Sequence, residues 1–505
     1  MKKALSLLIV VIIAFLAVSC GKSETVVTHE LKENIETVPY FKDGNMYYLK
    51  NGTSTLIAEN IYDEESDDPL YTADYAIDRE SGAILYISDG ALYKNDGKNT
   101  KIAGNVASWR GGKGFEAIAY TTPWEENKGK ETGVLYIVSH GEKISADVGV
   151  KTDSLMFSGD GKYLFALKPN TYPMPGYKVY KYALDGEKTL VSEQAAELMW
   201  VSFDGKCVIT GNKNGEYYDY TVILDKKSTE IKKVYYPSVT DDGQVLYALV
   251  NFDGTSGILK KIDLKTLKQT ELFKGVSFFS AEAVTNQSKG VVYSVLTDSE
   301  NEYYSVYYSG KKDMRLMHNA KKDAIYSVAI NSENNNGYVL TKSSGGVHSI
   351  DISGKTLKST KLLSCHGDSL VYYEALDCAT FIKNPESGAG ELYKVKNGEV
   401  SLLCADCASS YNGSFYSAMC VLSNTGDKVM YFSSADESGG TLKISDGENE
   451  KTICENAFSG LLKAPVANGD FTQIYYISRE DNGLYFYNGE KSILIDSFVM
   501  GLIDI

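Results

Sequence analysis

Tryptophan, arginine, histidine and proline are all scarce in this 505-residue chain, at three, four, five and nine copies. Nine prolines beside 45 glycines exclude collagen-like and proline-rich classes. The five histidines (His29, His140, His318, His348 and His366) form no H-x-H or H-E-x-x-H spacing, so no zinc motif is present. Four arginines (Arg79, Arg110, Arg315 and Arg479) against many lysines fit an AT-rich genome. Positive charge is missing overall. A formal charge of −15 makes a poor nucleic-acid binder, because phosphate contacts need a basic face. Long apolar runs are missing too, apart from one near the start, which excludes a polytopic membrane protein. With 43% apolar and 23% charged residues the balance is that of a soluble globular protein, and the length suggests two domains.

The one apolar run, Leu5 to Val18, follows Lys2 and Lys3 and is too short to span a bilayer comfortably. Small residues and Cys20 come next, the layout of an export leader. Ala17-Val18-Ser19-Cys20 resembles a bacterial lipobox, in which the cysteine is lipidated and becomes residue one. The resemblance implies anchoring through Cys20 on the extracytoplasmic face of the cell membrane. Loss of residues 1–19 removes two lysines and takes the charge from −15 to −17, so lipid rather than charge would do the tethering. Residues 20–36 are polar, lack a period and read as a tether.

What is abundant is repetition. A glycine, an alternating strand, an Asn-Gly or Asp-Gly turn and a second strand recur at 44–61, 90–106, 390–406, 440–457 and 483–499. Such turns tolerate the positive φ of tight hairpins. A second phrase precedes the first: a polar turn, then a short apolar strand, as in SGDGKYLFAL (158–167), SFDGKCVIT (202–210) and TDDGQVLYAL (240–249). Its turn glycines at 82 and 469 lie nine units apart, a period near 43 residues, with one turn hidden near Asp377-Cys378. No stretch carries a 3.6-residue apolar period.

The expected fold is therefore all-β with propeller architecture, about eleven four-stranded units of roughly 43 residues. Eleven units exceed one ordinary ring, so two propellers are expected, with one large ring as the alternative. The division is 37–274 and 275–505. The first unit has three strands, TVPYF, NMYYL and STLIA, and the chain ends in a spare strand, VMGLIDI, suited to completing it. By its lipobox and the phrases S-x-D-G-K and L-Y-x-x-x-G the chain resembles bacterial surface lipoproteins with TolB-like propeller repeats. That resemblance implies blades used for binding. The WD dipeptide is absent, as is the tryptophan docking motif of quinone-dependent dehydrogenase propellers.

No G-x-S-x-G elbow, P-loop or α/β-hydrolase pattern occurs, and the repeats run to the C-terminus. Seven cysteines remain beside Cys20, six of them between 365 and 454. They read as small buried strand residues, with a disulfide or a metal site around Cys404-Ala-Asp-Cys407 as alternatives. Cys404 ends one strand and Cys407 begins the next blade, which would face them apart. The acidic run from Asp63 to Asp68 lacks the EF-hand pattern and reads as a solvated loop. Two loops suit a binding rim: 121–133 with Trp124, and the proline-rich 168–178 with Tyr172 and Tyr177.

The functional expectation is a lipid-anchored extracytoplasmic propeller that binds an envelope protein or glycan, with no cofactor and no metal. The alternative is a glycan lyase or hydrolase. It requires acidic, tyrosine or histidine side chains converging at a channel mouth.

Overall fold

The computed structural model describes residues 26–503 apart from 28–29, 51, 63–73, 79–80, 124–130, 171–175, 299–302, 311–312, 322–324, 342–344, 366, 386–387, 412–415, 437 and 461–462. Cys20, Trp124, Tyr172 and the acidic run 63–68 lie outside the described residues. Among the described residues no helix is long and apolar enough to cross a membrane.

The fold is all-β. Four-stranded antiparallel sheets, each running strand to neighbouring strand, follow one another along the chain as the blades of a β-propeller. The chain divides into two compact units, 36–276 with 499–505, and 1–35 with 277–498. Among the described residues the first holds six blades and the second five.

The repeat explains the blades. In most of them an aromatic residue on the second strand faces an aromatic residue or a lysine on the third. Tyr40–Tyr47, Tyr86–Tyr93, Tyr120–Tyr136 and Tyr293–Tyr307 are such cross-strand pairs, stacked at 5.3, 5.4, 5.2 and 5.4 Å. Phe165, Tyr247 and Tyr431 face Lys181, Lys261 and Lys443 in register instead. Each pair contributes roughly 0.5–1 kcal/mol beyond the area it buries. Much of the tyrosine excess is thus core: Tyr40, Tyr120, Tyr182, Tyr247, Tyr293, Tyr372 and Tyr431 are fully buried. Between blades the apolar faces merge. With the blades numbered in chain order, Ala119, Leu135, Ile137 and Val150 of blade 3 (Ser108 to Lys151) pack with Leu164, Ala166 and Tyr182 of blade 4 (Met156 to Ala195).

The turn phrase is a built element. Ser158, Ser202 and Thr240 each donate to the aspartate two residues on, at 2.7, 2.9 and 2.7 Å. Gly161, Gly205 and Gly243 then take left-handed φ of 71, 63 and 63°, which a side chain would resist. The turn hidden in the period lies where expected, at left-handed Asp377 (φ 47°).

Blade 1 of the six-blade unit is closed by the C-terminal strand. Gly501–Leu502 pairs antiparallel with Thr37–Lys42, matching Phe41 to Gly501 and Tyr40 to Leu502. The five-blade unit takes chain from the other end. Val26–Val27 pairs parallel with Tyr372–Tyr373 at the free edge of the first strand of blade 9, Gly367–Tyr373. Residues 30–35, read from the sequence as tether, are bonded on. Leu31 exchanges hydrogen bonds with the Asn424 amide (2.9 and 2.8 Å), Gly469 N–H donates to Lys32 O (2.8 Å) and Ile35 N–H donates to Gln473 Oε1 (2.8 Å).

Candidate functional site

Blades 3, 4 and 5 of the six-blade unit surround a cavity of about 870 Å³. Its walls come from the first strand of each blade, Ser108–Gly111, Met156–Phe157 and Glu197–Val201, and from the connections that enter or leave those strands. Blade 3 supplies Arg110 and, from the short turn Lys113–Phe115, Lys113. The last strand of blade 3 ends in Lys151, the link to blade 4 supplies Asp153, Ser154 and Leu155, and blade 5 supplies Glu197, Leu198 and Phe203.

The polar groups converge on Lys151. Its ammonium lies 3.0 Å from Asp153 Oδ1 and 5.5 Å from the centre of the Tyr177 ring. The Tyr177 hydroxyl donates to Glu131 Oε2 at 3.2 Å. Burial works against the Lys151 charge, but the bond and attraction from Asp153 outweigh it and raise its pKa. Burial, then Glu131, pushes the Tyr177 phenol up. Glu197 is half-buried, and burial lifts its carboxyl above the ordinary glutamate value against the pull of Lys151. It pairs in register with Gly211, where a Cβ would come within 2.5 Å of Glu197 Oε1. The missing side chain at 211 is what lets the carboxylate lie there. Among the described residues the Glu197 side chain makes no hydrogen bond or ion pair.

The apolar wall is unusual in one respect. Phe203 sits in the turn phrase where the neighbouring repeats carry Gly159 and Asp241, and it is 67% exposed. Its carbonyl accepts the Asp160 N–H at 2.8 Å, tying the turns of blades 4 and 5 together.

Of the three rim residues expected from sequence, Tyr177 stands beside this cavity, bound to Glu131 of the neighbouring blade; Trp124 and Tyr172 lie outside the described residues. Sequence reasoning did not single out Arg110, Lys113, Lys151, Glu197 or Phe203. A signal was available for two of them. Arg110 is one of four arginines, and Phe203 is the apolar exception in a polar repeat turn.

The thiols are a separate matter. Cys207, Cys365, Cys378, Cys404, Cys407, Cys420 and Cys454 are all unpaired. Cys404 and Cys407 do not face apart, contrary to the expectation. A register shift in the pairing of strand Glu399–Tyr411 falls between them, and both pack in one cluster with Cys378. The Cys407 thiol meets Cys404 and Cys420, and those contacts together with burial hold its pKa well above the ordinary thiol range. Burial also pushes Cys207 up to about 12 and Cys378 to about 11, far from the thiolate form that reacts or binds metal. Among the described residues no three His, Cys, Asp or Glu side chains form a group able to hold a metal ion.

No family model matches the chain, and no curated protein matches it. Solved structures resemble it at low identity. The β-propeller domain of the Trilobed protease from Pyrococcus furiosus is 12% identical, covers 59% of this chain and 96% of its own, and gives a TM-score of 0.27. TolB from Acinetobacter baumannii is 12% identical, with 56% and 80% covered and a TM-score of 0.25. A structure of the eukaryotic initiation factor is 10% identical, with 93% and 98% covered and a TM-score of 0.40. None of them bears on the activity of this chain.

Proposed function

We propose that this chain is a lipid-anchored binding module on the extracytoplasmic face of the cell membrane, and that the cavity of its six-blade unit seats an envelope ligand. The observation that carries the reading is the cavity wall. Donors (Arg110, Lys113, Lys151), acceptors (Asp153, Glu197) and an exposed aromatic ring (Phe203) share one concave surface. That mixture suits a ligand rich in hydroxyl groups with an apolar face, so a glycan fits it better than a flat protein surface does. The Ala17-Val18-Ser19-Cys20 sequence supports the anchor.

Two experiments test the parts separately. Retention of envelope glycans on the immobilised chain should fall at least roughly tenfold in Phe203→Ala, because the ring is the main exposed apolar contact. Equal retention by the variant overturns the cavity as the seat. Cys20→Ser should release the protein from the membrane fraction; a variant that stays there contradicts the anchor.

A second reading has its own observation. Glu131, Asp153 and Tyr177 gather at Lys151, and the raised carboxyl of Glu197 lies within reach of its charge. A carboxyl whose pKa burial raises above the ordinary glutamate value is a general-acid candidate in a glycan hydrolase or lyase. Glu197→Gln would then cost on the order of 100-fold or more in turnover of an envelope glycan while leaving its binding intact. No cleavage by the unaltered chain sinks this reading and leaves the binding module.

A further inference from the structure

We infer that the ligand seated between blades 3 and 5 carries a carboxylate, which places it among the acidic oligosaccharides. This rests on the reading of that cavity as a glycan seat and deepens it.

The argument is one of charge. The whole chain has a formal charge of −15, yet the cavity is lined by three cations, Arg110, Lys113 and Lys151, against two carboxylates, Asp153 and Glu197. The three cations are not equally available. Lys151 is paired with Asp153 at 3.0 Å. Lys113 is exposed and feels Asp78, but that carboxylate is taken up by Ser81, whose N–H donates at 2.8 Å, and by the Gly114 N–H. Arg110 is exposed, and the one hydrogen bond of its guanidinium among the described residues is from Nη1 to the Trp109 carbonyl, at 2.9 Å. It makes no ion pair there. A guanidinium with most of its planar fork unspent, on the wall of a cavity in a strongly acidic protein, matches a carboxylate by geometry and by charge.

The rest of the wall separates an acidic sugar from other anions. A free phosphate or a small carboxylate would use Arg110 and Lys113 and leave Phe203, Glu197 and the 870 Å³ volume unexplained. A sugar acid uses all of them: its carboxylate goes to Arg110 and Lys113, ring hydroxyls to Glu197 and Asp153, and the C–H face to Phe203.

The test uses the full chain and a panel of oligosaccharides bearing glucuronate, galacturonate or N-acetylneuraminate. Each is paired with its carboxyl methyl ester, and a penta-aspartate peptide is the protein-like control. At least one acid should bind, with its ester at least roughly tenfold weaker, and Arg110→Gln should lose the same factor against the acid. The thermal transition of Arg110→Gln should match that of the parent, since the side chain is exposed. An ester that binds as well as its acid, or an Arg110→Gln chain that binds the acid unchanged, overturns the inference. If acid and ester bind equally and Phe203→Ala abolishes both, the glycan seat stands and only the carboxylate falls. Binding of the peptide alone removes the glycan class, and no binding by any saccharide removes both readings.

Discussion

The two units solve the same problem by different chemistry. Each must satisfy a first-strand edge with chain from elsewhere, because an open edge leaves backbone groups unpaired. The six-blade unit does it with a main-chain ladder: Met500 N–H donates to Phe41 O at 2.8 Å and Ile503 N–H to Pro39 O at 3.0 Å, with Val499 and Leu502 buried behind. The five-blade unit pairs the backbone of Val26–Val27 with that edge and adds a following segment, residues 31–35, held largely by side-chain amides. Asn424 and Gln473 receive it, and Asn468 Nδ2 donates to Glu33 O at 3.1 Å. Contents differ as well. The cavity lies in the six-blade unit, while six of the seven described cysteines lie in the other. A ladder gains strength from buried apolar residues; a strap of amides gains it from a few specific bonds that single substitutions can remove.

Deleting residues 499–505 should break the comparison most severely. It removes the paired strand and two buried side chains, worth about 4 kcal/mol together before the lost ladder is counted. Calorimetry should show the transition of the six-blade unit collapsing while that of the five-blade unit stays. A uniform shift of both would mean that the units unfold as one.

Asn424→Ala is the reciprocal case. It removes both hydrogen bonds to Leu31 and should cost the five-blade unit about 2 kcal/mol. Limited proteolysis should then cut first between residues 30 and 36. An unchanged digestion pattern would show that the segment is held by something other than the amides.

Asp147 sharpens the comparison within the six-blade unit. Its buried carboxylate accepts from Lys168 at 2.7 Å, Lys188 at 2.9 Å and the Tyr182 hydroxyl at 3.0 Å. Burial alone would raise its pKa, but these bonds and the Val148 N–H outweigh it and hold the group below the ordinary value of 3.8. The sign follows: the stability is complete above the ordinary aspartate pKa and is lost as pH falls through the lower folded value. Asp147→Asn should cost about 1–2 kcal/mol at pH 7, discounted for the partly exposed lysines, and the gap from the parent should close in acid. A gap independent of pH would rule out the charge as its source.

The smallest effect is expected from the thiols. In the folded chain Cys207, Cys365, Cys378, Cys407 and Cys454 should react very slowly with an alkylating reagent at neutral pH, because burial raises their pKa and keeps the thiols protonated. On partial unfolding they become a reporter. Four of these labels should appear with the five-blade unit and one, Cys207, with the other.

Much of this fold could be read from residues in order. The blade period, the Asn397-Gly398 hairpin with its left-handed φ of 52 and 82°, the hidden turn at Asp377 and the spare C-terminal strand all follow from local turn chemistry and a count. What could not be read is whatever joins distant repeats. The amides that hold Leu31 and Ile35 are 393 and 438 residues away, in turns that look like any other repeat turn. Cys404 and Cys407 were misjudged because a register shift between them is invisible in a run of strand-forming residues. The cavity is of the same kind. Arg110 and Lys151 come from blade 3 and Glu197 and Phe203 from blade 5, and only the packing of successive blades brings them to one wall. Tyr177 stood out in the sequence only because its loop is locally odd.

The most direct test of the account is hydrogen exchange of the full chain with and without envelope glycan. Protection is expected in 110–113, 151–159 and 197–203, with the five-blade unit unchanged. Protection centred on the five-blade unit, or none in blades 3 to 5, would contradict the claim that the six-blade unit is the one that binds.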